Sequence, residues 1–389
     1  MPIDRRTFLR AGSVAASAAL LGPHAPQSAG AQSGKTYRAA IIGRTGGGNY
    51  GHAYDMLFDK YPHISVEAIA DSDPEGLKVA GERSKAKRKY LDYHEMLQKE
   101  KPQIVVVATR HAIYHRDMAL AAIEVGAHLF IEKPITDSLE DADAIMSAAD
   151  ARGVKVMMAH KYRLNEKFRR IKRLIQEGFI GTPMEVRGWG SQDNRVGGED
   201  MIVLGTHEFD MVRYYFGNPQ WCFASVTEGG RDITREDVHL GTGEPVLVAG
   251  DSIRATYAFP ENVQFTWSSV KTPDNFRGKR GLTVYGTERI IAFHHGPGPA
   301  YLDSPLTLHL DDQGIWKPLP EPKTKDDAPH EHDLIHNLIH AIETDTQPLC
   351  SGHDGRWTIE MVAAAYESQR TKSRVDMPLR ERRHPLTLL

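Results

Sequence analysis

Tyr37-Arg38-Ala39-Ala40-Ile41-Ile42-Gly43 runs directly into Arg44-Thr45-Gly46-Gly47-Gly48-Asn49-Tyr50-Gly51, and this passage decides how the chain is read. The first seven residues form a short apolar run that is rich in branched side chains and stops at a glycine. That is the pattern of a parallel strand buried on both faces. From Gly46 to Gly51 the next residues satisfy G-x-G-x-x-G, the spacing with which a backbone can approach a pyrophosphate. A helix is expected from His52 to Tyr61, with Ala53, Met56, Leu57 and Tyr61 on one side and its N-terminal amides and dipole aimed at phosphate. Gly43-Arg44-Thr45 lengthens the turn, which leaves open which of Gly43, Gly46, Gly48 and Gly51 touch the phosphates.

Further along, Ile64 to Ala70 reads as a second strand, and Asp71 stands at its end, 20 residues beyond Gly51. A carboxylate there accepts the hydroxyls of an adenosine ribose and repels a 2′-phosphate, which favours NAD over NADP. Asp71-Ser72-Asp73-Pro74 also reads as a capped helix start. Strands are expected at Ile104 to Ala108, followed by Thr109, and at Ala127 to Ile131, followed by Glu132-Lys133-Pro134, with helices between. The alternation predicts a doubly wound parallel α/β sheet whose ligands lie outside the carboxyl ends of the strands.

With 389 residues the chain exceeds one ordinary core, so two domains are expected, over residues 36–157 and 158–389. Its 48 basic and 51 acidic residues leave a formal charge of -3, which offers no global field for nucleic acid or an anionic membrane. Cys222 and Cys350 allow one disulfide at most and exclude a thiolate-only zinc site or an iron–sulfur cluster. Asp4-Arg5-Arg6-Thr7-Phe8-Leu9-Arg10, the weakly apolar run Ala11 to Leu21 and Ala29-Gly30-Ala31 resemble a twin-arginine signal over residues 1–31. Its apolar run of about eleven residues is well short of the roughly 20 needed to span a bilayer, so no stable membrane anchor is expected. The expected location is periplasmic or secreted.

The order of glycine turn, Asp71, Ala108-Thr109, His115, Gly126, Glu132-Lys133-Pro134 and Gly205-Thr206-His207 resembles the glucose-fructose oxidoreductase, inositol dehydrogenase and rhizopine-catabolism (Gfo/Idh/MocA) family, in its secreted branch. The resemblance spans nearly all of the chain after the signal. It implies an N-terminal Rossmann domain followed by an α/β domain on an open, mostly antiparallel sheet, and a dimer or tetramer. Strand-like runs at Met184 to Trp189, Phe223 to Thr227, Ile253 to Phe259, Val263 to Ser269 and Leu282 to Tyr285, after a helix Asn165 to Glu177, agree locally. Residues 228–251, rich in Gly, Asp and Glu, read as an insertion, either over the active site or on the surface.

The resemblance places Lys133 and His207 beside a nicotinamide and a reacting carbinol, with Gly43, Gly46, Gly48, Gly51, Asp71, Thr109, Glu132 and Lys133 on the cofactor. The chemistry suits these residue types. Taking hydride from a carbinol carbon requires a base for the hydroxyl proton, and a lysine can orient the oxygen and stabilise negative charge on it. His207 is expected on the opening turn of a helix. Lys161, Tyr162 and Arg163, and the acids Asp200 and Asp210, are candidates for substrate contact. Relatives often carry an aspartate four residues before the histidine, and Val203 stands there in this chain. Glu199, Asp200 or Asp210 are the candidate replacements. Arg110-His111 likewise replaces a frequent Pro-Asn. His332, His336 and His340 repeat every four residues, but the neighbouring Leu334, Ile335, Leu338 and Ile339 read as a helix core, and no metal is expected.

Three functions stay open: an NAD-dependent oxidoreductase acting on a sugar, sugar derivative or polyol with a tightly held cofactor; an NAD-assisted glycoside-cleaving enzyme without net redox; and an inactive sugar- or partner-binding protein.

Overall fold

In a computed structural model, residues 35–190, 195–271, 281–294, 307–310, 313–319 and 331–389 are described. The expected signal segment lies outside them. The N-terminal sheet has six parallel strands, β1 Tyr37–Ile42, β2 Ile64–Ala70, β3 Arg88–Tyr90, β4 Ile104–Val107, β5 His128–Ile131 and β6 Val156–Met158, in the order β3-β2-β1-β4-β5-β6. In this order the chain reverses direction across the sheet between β1 and β4, so a crevice opens at their carboxyl ends. Residues of β1, β4 and β5 are almost wholly inaccessible because helices cover both faces.

The helices start and stop where the sequence signals them. Asp73 caps Pro74–Arg83 by accepting from the Gly76 amide at 2.6 Å, and Pro74 occupies the first turn, where no amide partner is needed. Ser138 caps Leu139–Arg152, which Gly153 ends at φ 65°.

One expected element is not made. In place of a helix from His52 to Tyr61 there is a single 3₁₀ turn, Tyr54–Met56. Within that stretch Ala53 has left-handed φ, 63°, so a right-handed helix cannot run on from His52, and the turn that begins after it ends at Leu57. Of the side expected to be buried, Leu57 and Tyr61 enter the core, together with Tyr54 and Phe58, whereas Ala53 and Met56 are exposed, so the apolar pattern was right in part on burial and wrong on conformation.

The second domain is built on a long mixed sheet. Pro183–Trp189 and Gln264–Val270 pair in parallel at its centre, and the remaining pairings are antiparallel. These two strands and Trp221–Glu228, Ser252–Ala258 and Gly281–Gly286 lie close to where the strand-like runs predict them, and Ile290–His294 adds a strand that was not expected. The long helix Gly352–Thr371 packs against Trp221–Glu228 on one face. Cys222 and Cys350 are both buried free thiols.

A late helix returns to the first domain. Glu331–Thr344 seats Leu334, Ile335, Leu338 and Ile339 in one core with Tyr37, Ile41, Ile69 and Val106. The first sheet therefore needs a segment from far down the chain to close one face. Leu338→Ala should cost about 2–5 kcal/mol, the range for truncating a fully buried leucine. A urea melt followed at the Rossmann domain checks this, and an unchanged midpoint would show that the helix is dispensable to it.

Candidate active site

The turn after β1 folds on itself. Arg44 and Asn49 exchange backbone hydrogen bonds of 3.1 and 2.8 Å, and the amides of Gly43, Thr45, Gly46, Gly47 and Gly51 also donate within the protein. The turn lies against the segment after β4 so closely that a Cβ on Gly48, where φ is 92°, would sit 2.5 Å from the His111 nitrogen. The Thr109 hydroxyl donates to the Gly47 carbonyl, and the Arg110 amide donates to Gly48 at 3.3 Å. Asp71 is buried at the end of β2, where its carboxylate accepts from the Thr45 amide and hydroxyl, at 2.9 and 2.7 Å, and from the Asp73 amide at 3.0 Å. The helix expected to aim its dipole at phosphate is absent, and Asp71, expected to meet a ribose, holds the turn.

Beside β5 the crevice opens into a cavity. A cavity of about 280 Å³ is lined by His52, Tyr54, Arg110, Glu132, Lys133, Ala159, Lys161, Tyr162, Arg195, Val203, Leu204 and His207. Lys133 and His207, expected from separate parts of the sequence, thus share one cavity at the carboxyl end of β5. Glu132 is wholly buried, accepting from His52 at 2.5 Å and from the Lys133 amide at 2.6 Å. Burial alone would raise the Glu132 carboxyl, but the His52 bond and the Lys133 charge outweigh it and hold the group below its usual range.

His207 does not open a helix. The segment Gly197–Asp200 leads into a π turn, Met201–Gly205, and then into Thr206–Phe216, so His207 lies inside a longer helical run. Single π turns of this kind inside helices are frequent at functional sites. The Lys133 ammonium donates to the Val203 carbonyl at 3.3 Å. Tyr162 packs its ring 5.0 Å from His207, and His160 packs at 5.8 Å from the other side. Burial pushes the His160 ring below its usual value.

Three expected substrate residues lie behind the site instead. Arg163 is buried in ion pairs with Asp210 at 2.7 Å and Asp354 at 3.0 Å. Asp200 is fully buried, and a Cβ on Gly190 would overlap its carboxylate. Glu199 is spent on a loop, accepting from Thr242 and from the Gly243 amide at 2.6 Å. A short-range reading of charge favoured these residues, but their cations and loops are supplied by segments remote in sequence. Lys161 and Tyr162 do line the cavity. The sequence reading missed His52 and Arg195; His52 follows the glycine turn directly, and that position was its one available signal. Among the described residues no group of three His, Cys, Asp or Glu is placed to hold a metal ion.

A parallel sheet with its switch-point crevice, a glycine turn in close backbone contact with the next strand's loop, and lysine and histidine around one cavity define a two-domain, dinucleotide-dependent oxidoreductase. The chain belongs to the Gfo/Idh/MocA oxidoreductase family: residues 37–160 match its NAD-binding Rossmann fold and residues 172–377 its C-terminal α/β domain. It is 24% identical to D-apiose dehydrogenase of Paraburkholderia graminis, over 90% of this chain and 92% of that enzyme. It is 24% identical to myo-inositol 2-dehydrogenase of Thermotoga maritima, over 86% and 98%. Among solved structures, levoglucosan dehydrogenase with NADH and levoglucosan superposes with a TM-score of 0.69 at 21% identity, covering 88% of this chain and 100% of that one.

Gly48→Ala should disturb the turn against the Thr109–His111 segment, since both its φ and its space exclude a side chain. A fall of several degrees in thermal midpoint and loss of dinucleotide binding are expected; a variant with wild-type melting and binding would refute the close contact.

Proposed function

We propose that this chain is an NAD-dependent oxidoreductase that transfers hydride to or from a carbinol of a sugar, sugar derivative or polyol. The observation that carries the reading is the convergence of Lys133 and His207 on one cavity at the carboxyl end of β5. The site residues fit a dinucleotide there. Glu132 and Lys133 line the cavity, and the glycine turn, Thr109 and Asp71, packed together after β1, β4 and β2, support a dinucleotide running from there towards Asp71. Bound NAD would supply the hydride acceptor or donor.

The protein's own groups supply the rest. His207, inside the cavity, takes the hydroxyl proton during oxidation and returns it during reduction. Lys133, held by the Val203 carbonyl, places its ammonium where the carbinol oxygen gains negative charge. Lys161 and Tyr162 offer donors to further hydroxyls. The family's sugar and polyol dehydrogenases support this substrate class. The preference for NAD over NADP rests on the fixed negative charge of Asp71. The Arg5-Arg6 signal pattern supports export, and a protein beyond the cytoplasmic pool of NAD gains from holding its cofactor tightly and returning the hydride in each cycle. The face of the second sheet that carries Phe223, with Arg187, Ser225 and Arg254 exposed beside it, supports assembly into a homo-oligomer.

Mass spectrometry of the denatured, purified protein should release NAD or NADH in a near-stoichiometric amount, and an empty protein that also fails to bind added NAD or NADP would end this reading. Lys133→Ala and His207→Ala should each lower kcat by about 10²–10⁴-fold while the fold is retained; unchanged turnover in both would remove their assigned roles. Asp71→Ala should weaken NAD and relax discrimination against NADP, as read from paired binding titrations.

A further inference from the structure

Against His207 stands a second buried imidazole. His160 follows β6 and is 1% exposed, and neither of its ring nitrogens makes a hydrogen bond. Leaving a buried polar atom unbonded costs stability that an apolar ring of similar size would keep, and the few such atoms in native proteins include catalytic ones. The main chain fixes where the ring stands: the Ala159 amide donates to the Ile131 carbonyl at 3.0 Å, and the Cys350 thiol donates to the His160 carbonyl at 2.9 Å. No hydrogen bond keeps the imidazole from turning about its own side-chain bonds.

Its two polar neighbours share one helix face. His207 and Asp210 stand three residues apart on Thr206–Phe216, a spacing that puts both side chains on the same side. The His160 ring lies 5.8 Å from that of His207, centroid to centroid, at an interplanar angle of 74°. Its Nδ1 is 3.9 Å from Asp210 Oδ1, close enough for the carboxylate to attract an N–H and too far for a hydrogen bond. Asp210 is 1% exposed and pairs with Arg163 at 2.7 Å, which also holds Asp354 at 3.0 Å, so the carboxylate is anchored. Burial pushes the His160 ring down; Asp210 and Asp354 oppose the fall, and Arg163 and Lys133 add to it. The ring is therefore neutral around neutrality, with one N–H and one lone pair. Attraction to Asp210 puts the N–H on Nδ1 and leaves the lone pair on Nε2.

We propose that His160 is a positioning residue for the base: it bridges His207 and Asp210 once His207 is charged, accepting from the His207 ring through Nε2 and donating to Asp210 through Nδ1. This rests on the reading of His207 as the base. In oxidation the carbinol C–H electron pair leaves as hydride to bound NAD, the O–H proton bonds to a ring nitrogen of His207, and the oxygen is left as a carbonyl. His207 Nδ1 is buried, so Nε2 is the nitrogen that meets the carbinol. The Nδ1–H then becomes part of a cation, and a hydrogen bond from a cation is stronger than one from a neutral ring. A turn of His160 that closes about 1 Å towards Asp210 completes the second bond. The bridge favours protonated His207, so removing it should make His207 titrate at lower pH and act as a weaker base. The charged groups around the pair are Lys133 after β5, Arg163 after β6, Asp354 on the helix Gly352–Thr371 and, across the cavity, Glu132, Lys161, Arg110 and Arg195, with His52, Tyr162 and Cys350 as further titratable neighbours. All of them are common to the wild type and the His160 variants, so a difference between these proteins belongs to His160.

The test is a pH titration of the full chain, with its histidine rings labelled with ¹⁵N, by nuclear magnetic resonance. The His207 and His160 signals are assigned by their loss in His207→Gln and His160→Phe. His207 should titrate at lower pH in His160→Phe than in the wild type, and close to the wild type in His160→Gln, whose amide can also accept on one side and donate on the other. The His160 ring should carry its proton on Nδ1 and respond as His207 is protonated. In turnover, His160→Phe should lower kcat for oxidation about tenfold with little change in KM, a part of what a positioned base contributes, and move the acid limb of the pH profile to lower pH; His160→Gln should restore most of both. A His207 titration unmoved in His160→Phe, a His160 proton held on Nε2 throughout, or a His160→Gln variant no better than His160→Phe would each overturn the proposal, as would a lowered melting temperature in His160→Phe with the His207 titration unchanged. The expected titrations in a protein without NAD-linked turnover would sink the oxidoreductase reading and leave the pairing standing. NAD-linked turnover whose acid limb stays in place in His160→Phe would do the reverse.

Discussion

The close approach of the glycine turn to the backbone after β4 is the constraint on which the site depends. With Gly48 against the Arg110 and His111 amides and Gly51 beneath the Ala108 carbonyl, no side chain fits between the two segments. That contact sets where the chain emerges, and so where His52 meets Glu132. Glu132 in turn holds the Lys133 amide, Lys133 reaches the Val203 carbonyl, and Val203 belongs to the π turn that carries His207 into the same cavity. A sequence of short contacts thus joins the first sheet to the second domain's helix, and each link is made by a backbone atom or a buried carboxylate with little freedom to wander.

The parts of this arrangement that follow from local pattern were legible in the sequence. β1, β4 and β5 read as buried strands because branched apolar runs cannot be satisfied elsewhere, and Lys133 stood out because a Lys-Pro directly after such a run has no packing purpose. The fold class and family followed from the same residues. His52 to Tyr61 misled for a physical reason. The apolar spacing that buries Tyr54, Leu57 and Tyr61 is also a helical spacing, and the backbone leaves it at the left-handed Ala53, a residue type that gives no sign of that conformation.

The acids misled for a different reason. Asp200, Asp210 and Arg163 were candidate substrate contacts because each lies near His160 or His207 in sequence. Burial decides otherwise: a charge removed from water must find a partner or be neutralised, and Arg163 finds Asp210 and Asp354, the latter contributed by the helix Gly352–Thr371. Such pairings join positions far apart in the chain, and no local pattern announces them. Arg195 reaches the cavity in the same way, from a segment whose composition says nothing of its destination.

Val203 joins the two halves of the site through its backbone rather than its side chain. Its carbonyl accepts from the Lys133 ammonium at 3.3 Å, which ties the segment after β5 to the π turn that leads into His207. A main-chain oxygen is held in place by the helical run on either side of it and is present whatever side chain stands at position 203. The tie between the domains therefore depends on the path of the backbone, and that path depends on the buried packing of Met201 to Leu204, each of them almost inaccessible to solvent.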